Sequence, residues 1–174
     1  MQKKPRPFSR ISYIVFLIAF FAAFSFKSPA QSKTITRYIE KYSAIADSLS
    51  SEFEIPVSVI LGVAIVESSS GTSRNARLLD NHFGIVGKND LLKTKGIKTK
   101  YRQYPDAQSS YIAFCKLISR RKFYSKLKGN SDYKLWVDAI SKSNYSEVPD
   151  IWKKGILYAI RTCKLADRGV VAKR

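Results

Sequence analysis

Between residues 60 and 67 apolar side chains recur at helical spacing. Ile60, Val63 and Ala64 fall at i, i+3 and i+4, and Glu67 takes the i+7 position of the same face. That face has to be buried, so the pattern demands a core helix with a carboxylate in its last turn. The stop follows at once, because Ser68, Ser69, Ser70 and Gly71 continue a helix poorly. The placement of Glu67 is unfavourable twice over. An ionised carboxylate is costly out of water, and the C-terminal end of a helix carries partial negative charge. Both effects raise its pKa. Two readings are open: a Glu at a helix edge tied to the following serines, or an acid kept protonated near neutral pH.

The segment ahead of this core is of another kind. Lys3, Lys4, Arg6 and Arg10 precede sixteen uncharged residues, Ile11 to Phe26, and Ser28 and Ala30 sit at the small-residue positions of a cleavage site. This is the layout of a signal peptide over residues 1–30, with residues 31–174 as the domain that follows it. Sixteen residues fall short of the ~20 that cross a bilayer, which leaves an uncleaved anchor at residues 11–26 as the alternative. Either way the expected location is outside the cytoplasm, in the periplasm or at the cell surface.

The formal charge is +18, and five of the basic residues precede position 31. The rest has 26 basic and 13 acidic residues, a net of +13. From Lys88 to Lys128 there are twelve Lys or Arg against only Asp90 and Asp106. Such a stretch suits a polyanion. For an exported protein that means anionic cell-envelope surfaces rather than nucleic acid. The plain alternative is a solvated basic face.

Helical stripes continue on both sides of Glu67. Ile35, Tyr38, Ile39, Tyr42, Ile45, Ala46 and Leu49 mark a helix over residues 34–53. Pro56 opens the Glu67 helix, and Thr72 or Ser73 can cap a short helix through Leu79. Residues 91–104 carry Thr, Ile, Tyr and a central Gly without a helical stripe, which predicts a small β-hairpin. Helices resume after Asp106, with the stripe Tyr111, Phe114, Cys115 and Ile118, after Ser131 or Asp132, and at Pro149, with Trp152, Ile156, Ala159, Ile160 and Cys163 inward. The fold class expected is α+β, mostly helical with a small β lobe after the Glu67 helix. Cys115 and Cys163 fall on apolar positions of two helices, either as a disulfide or as buried thiols. With a single His, His82, no metal site and no cofactor are expected.

Protonating a glycosidic oxygen requires a carboxylic acid held neutral in a partly apolar cleft. Sugar rings need aromatic faces and amide-type partners, and Asn81, Tyr104 and Tyr145 are of that type. At this point the residues resemble a family. Ile55, Pro56, Ser58, Glu67, Ser68, Gly71, Ser73, Asn81, Phe83, Gly84, Ile85 and Lys88 reproduce the central pattern of the bacterial glucosaminidases of glycoside hydrolase family 73. The aromatic-Arg-x-Tyr element at Tyr101–Tyr104 and the Tyr145 turn before Pro149 are similar too, so the likeness spans about residues 38 to 165. It implies a lysozyme-like fold and hydrolysis of the β-1,4 bond after N-acetylglucosamine in peptidoglycan glycan strands. Carried over, Glu67 is the general acid, and Ser68, Asn81, Phe83, Tyr104 and Tyr145 are substrate-binding.

The family's second acidic residue, in the β lobe, has no counterpart: no Asp or Glu lies between Asp90 and Asp106. Three accounts are open. The substrate's 2-acetamido group attacks, Asp90 serves as the second catalytic residue, or the protein binds glycan without cleaving it well. A lytic transglycosylase-type muramidase and a non-catalytic peptidoglycan-binding protein are the alternatives in function. An envelope protein completing the lobe would be a further partner.

Overall fold

The computed structural model describes residues 29–170, with side chains over 32–167. The expected signal segment lies outside them, apart from Pro29 and Ala30 at the start of the first helix. The chain divides at Thr34, and the larger unit, Ile35–Arg174, holds the core. None of the described helices is long and apolar enough to cross a membrane.

Helix α1 (Pro29–Phe53) lays Ile35, Tyr38, Ile39, Tyr42, Ala46 and Leu49 into the core, as its stripe predicts. Helix α2 (Val57–Ser68) is the centre of the unit. Every residue from Val57 to Ile65 is buried, so the helix is apolar all round rather than amphipathic. It packs against α7 (Tyr133–Ser141), α8 (Pro149–Thr162) and the 3-10 segment Leu165–Val170. The crossing with α8 is close: a Cβ on Gly62 would lie 2.6 Å from Ile160 Cγ1. Only a glycine lets the two backbones approach that far.

Pro56 is the N-cap residue of α2. At the other end Ser69 and Ser70 are both left-handed, and the Ser70 N–H closes on the Ile65 carbonyl at 2.9 Å. Ser73 caps α3 (Arg74–Leu79), Asp106 caps α5 (Ala107–Ser119) and Asp132 caps α7, each through a side-chain oxygen. Tyr111, Phe114, Cys115 and Ile118 are the buried apolar face of α5, and the one-turn helix α6 (Tyr124–Leu127) follows it. Cys115 and Cys163 form no disulfide: Cys115 is a buried thiol, whereas Cys163 is only half-buried, at the C-cap of α8.

The expected β lobe is not formed. Among the described residues there is no strand, only one antiparallel bridge, Val86 to Tyr101. Arg102 N–H bonds Ile85 O, and Gly87 N–H bonds Lys100 O. Residues 100–102 therefore pair with 85–87, upstream of the predicted hairpin. The first half of that hairpin is a one-turn helix, α4 (Leu91–Lys95). Its cause is local. Asn89 Oδ1 accepts from Leu91 N–H, and the Asp90 carbonyl accepts from Lys93 and Thr94. Leu91 is buried under this turn and left-handed Gly96 ends it. The Thr/Lys alternation reads as ribbon, but the Asx turn ahead of it wins.

Candidate active site

Glu67 stands in the last turn of α2, with its side chain half-buried. Its Oε1 accepts a hydrogen bond from Trp152 Nε1 at 2.7 Å. Its Oε2 faces the loop after α3: a Cβ placed on Gly84 would lie 3.1 Å from that oxygen and 4.0 Å from Tyr101 Cε1. Gly84 has φ +64, which strains any other residue, and a Cβ there would crowd Oε2 as well. Burial pushes the Glu67 pKa up to about 7, and the Trp152 bond pulls against it. No charged neighbour figures among the causes. Near neutral pH the carboxyl is therefore poised between acid and base.

Tyr145 is the second part of the site. Its hydroxyl donates to Phe83 O at 2.8 Å, and its ring lies 5.3 Å from that of Trp152. Burial, the Glu67 carboxylate and Tyr104 raise its pKa far above the usual phenol value, so the hydroxyl stays protonated. Aromatic rings continue from there into the core. Tyr145 meets Phe114 edge-on, Phe114 stacks on Phe83 at 4.4 Å, and Phe83 meets Tyr111, which stacks on Tyr42 of α1.

The other expected site residues lie beneath this surface or away from it. Asn81 is fully buried. Its Nδ2 donates to Ile85 O and Arg102 O, and its Oδ1 accepts from Ile85 N–H, so it knits the Gly84 loop to the Arg102 stretch. Phe83 is 1% exposed and packs inward. Neither side chain has an open face for a ligand; both shape the wall that carries Gly84. Ser68 is buried as well, donating to Ala64 O and accepting from Gly71 N–H. Tyr104 is buried, with its hydroxyl lacking a hydrogen-bond partner. Asp90 is exposed, its side chain makes no capping bond at the start of α4, and it is not among the groups acting on Glu67.

Trp152 was readable only as a core residue of α8. The available signal is chemical: an inward indole N–H needs an acceptor. A buried polar cluster under the turn was also not legible. Tyr38 Oη lies 2.8 Å from His82 Nδ1 and accepts from Tyr111 Oη at 3.0 Å, and Ser68 also bonds Tyr38. Burial, with Lys41 adding to it, pushes the His82 pKa down to about 4.

The glucosaminidase family model, described as mannosyl-glycoprotein endo-β-N-acetylglucosaminidase, matches residues 43–165. The chain belongs to the glucosaminidase family. This glucosaminidase is accordingly a glycoside hydrolase. Two solved structures show its fold. The catalytic domain of the autolysin Auto from Listeria monocytogenes is 18% identical, with a TM-score of 0.61 over 94% of this chain and 99% of that one. A chain from a type VI secretion system effector–immunity complex of Pseudomonas protegens is 22% identical, with a TM-score of 0.55 over 74% of this chain and 92% of that one. The fold is thus lysozyme-like and mostly helical. No curated protein matches the chain.

Proposed function

We propose that this glucosaminidase is an exported peptidoglycan hydrolase that cleaves the β-1,4 bond after N-acetylglucosamine, with Glu67 as general acid. The observation that carries the reading is the state of the Glu67 carboxyl: half-buried, with its pKa raised to about 7, hydrogen-bonded on one oxygen and facing the Gly84 gap with the other. That is what donation to a glycosidic oxygen requires. The family description names a glycoprotein glycan, which shares the N-acetylglucosamine linkage. The likeness to an autolysin catalytic domain and the export-type leader favour the cell wall.

Asp90 stands exposed just ahead of α4, and no carboxylate, Asp90 included, acts on Glu67. This favours attack by the substrate's own 2-acetamido group, for which one protein acid suffices. The basic lobe then serves as a second contact. Lys88, Lys93, Lys95, Lys98 and Lys100 are all exposed there, and they suit anionic polymer of the envelope.

Digestion of purified sacculi with end-group analysis tests the reading. Reducing N-acetylglucosamine ends are expected, and Glu67→Gln should lower their release by roughly 10²–10⁴-fold, the range of a lone acid–base group. Anhydro-muramic ends would make the protein a transglycosylase. Binding to sacculi without release would make it a wall-binding module, and release from a glycoprotein glycan alone would move the substrate.

A further inference from the structure

We propose that Trp152 is a positioning residue that fixes which oxygen of Glu67 carries the catalytic proton. The inference rests on Glu67 being the general acid. The indole is 4% exposed, and its N–H points at Oε1 from 2.7 Å. An indole N–H only donates. Oε1 is thereby held as the acceptor oxygen, and the proton belongs on Oε2. That is the oxygen facing the gap that Gly84 leaves open, with φ +64 and no Cβ. The titratable neighbours there are Tyr145, from the turn before α8, and Tyr101, beside Gly84. The Tyr145 hydroxyl is taken up by Phe83 O, and the hydrogen bond that acts on the carboxyl is that of Trp152.

The same bond acts during the reaction. As the Oε2–H bond breaks, the proton passes to the glycosidic oxygen, which also takes the electron pair of the breaking C–O bond. The negative charge left on the carboxylate spreads to Oε1, where the Trp152 N–H is already placed to receive it. A hydrogen bond to a charged group is stronger than one to a neutral group. The bond therefore strengthens as the proton leaves, and it offsets part of the desolvation that weakens Glu67 as a donor.

Trp152 is one of two tryptophans, which provides an internal control. Trp136 Nε1 donates to the Asn130 carbonyl, a group that does not titrate. In ¹⁵N-labelled full-length protein, the Trp152 indole resonance should move with pH around an inflection near 7. It should be flat in Glu67→Gln, and Trp136 should be flat in both. This measurement needs no substrate, so it is independent of which glycan is cleaved. In kinetics, Trp152→Phe should shift the alkaline limb of the pH profile upward by about one unit, the size of a hydrogen bond to a charged group. kcat should fall about tenfold by the same conversion, with KM little changed. If the Phe variant does not fold, 3-benzothienylalanine at position 152 keeps the bicyclic shape without the N–H. An indole resonance of Trp152 unchanged from pH 5 to 9 would overturn the proposal, as would an unmoved alkaline limb. A titrating resonance in a protein that cleaves no glycan would support the pairing and overturn the functional reading instead.

Discussion

The Tyr145 hydroxyl donates to the Phe83 carbonyl at 2.8 Å, across 62 residues of sequence, and so ties the turn before α8 to the loop that faces Glu67. Gly84, the next residue, is the one that stands against Oε2. Tyr145→Phe keeps the ring against Trp152 and Phe114 but leaves that carbonyl without its donor. The unpaired group should cost about 1–3 kcal/mol. Thermal unfolding should come several degrees earlier, and glycan release should drop about tenfold as the Gly84 loop loosens. Full activity together with a lowered melting temperature would confine Tyr145 to stability.

Gly84→Ala tests the other wall. The methyl would sit 3.1 Å from Oε2 on a backbone with φ +64. The left-handed conformation alone should cost about 1–2 kcal/mol. Because the methyl also occupies the approach to Oε2, kcat/KM should fall roughly 10²-fold, more than the stability loss explains. Comparing initial rates of sacculus digestion at 25 °C with melting curves separates the two.

Glu67 should cost stability when ionised. Its folded pKa is raised, to about 7 from 4.5. Its favourable contribution is thus full below pH 4.5 and lost as pH rises through 7. Glu67→Gln cannot ionise and keeps an acceptor for Trp152. Its stability should match the wild type near pH 4 and exceed it by about 2 kcal/mol at pH 8, allowing for the part of the side chain that water reaches. Urea unfolding at the two pH values reads the crossover, and equal stability at pH 8 would show that burial does not raise this carboxyl.

His82 has the opposite sign. Burial lowers its folded pKa to about 4 from 6.5. The stability it permits is present above pH 6.5 and lost as pH falls through 4. The wild type should lose about 2–3 kcal/mol over that window from this residue. His82→Asn, which can still accept from Tyr38, should be less stable at pH 7 through lost ring packing, yet show a flatter acid dependence. Parallel pH–stability curves for the two proteins would count against the assignment.

Lys93, Lys95 and Lys98 are exposed on and just after α4. Changing all three to Gln should weaken binding to sacculi at low salt and leave it unchanged at high salt, since exposed charges are screened over ~8 Å at physiological ionic strength. Co-sedimentation across a salt series measures it. A constant ratio would make these lysines solubilising surface.

The parts of this molecule that follow from local pattern could be read in the sequence. Periodicity placed the inward faces of α1, α5 and α8, and the caps at Ser73, Asp106 and Asp132 were visible as residue types with a helix behind them. Glu67 was visible because a carboxylate on an apolar stripe is out of place. The lobe was misjudged because a single Asx turn at Asn89 outweighs the β-type composition that follows it. Asn81 and Phe83 belong to the motif that carried the resemblance, but a motif does not say which of its residues face inward. Trp152 lies 85 residues from Glu67, and no short-range rule pairs them. Only the packing of α8 on α2, close enough to require Gly62, brings the indole to the carboxylate.

Because α2 is apolar on every side, it has no stable existence as a separate helix in water. In an unfolded chain Glu67 is an ordinary carboxylate with a pKa near 4.5, fully ionised at neutral pH and useless as a proton donor. The raised pKa is made by burial among the surrounding elements, and Trp152 of α8, which reaches the carboxyl, lies 85 residues further along the chain. The proposed donor thus comes into being only with folding, and a chain still unfolded lacks it wherever it is.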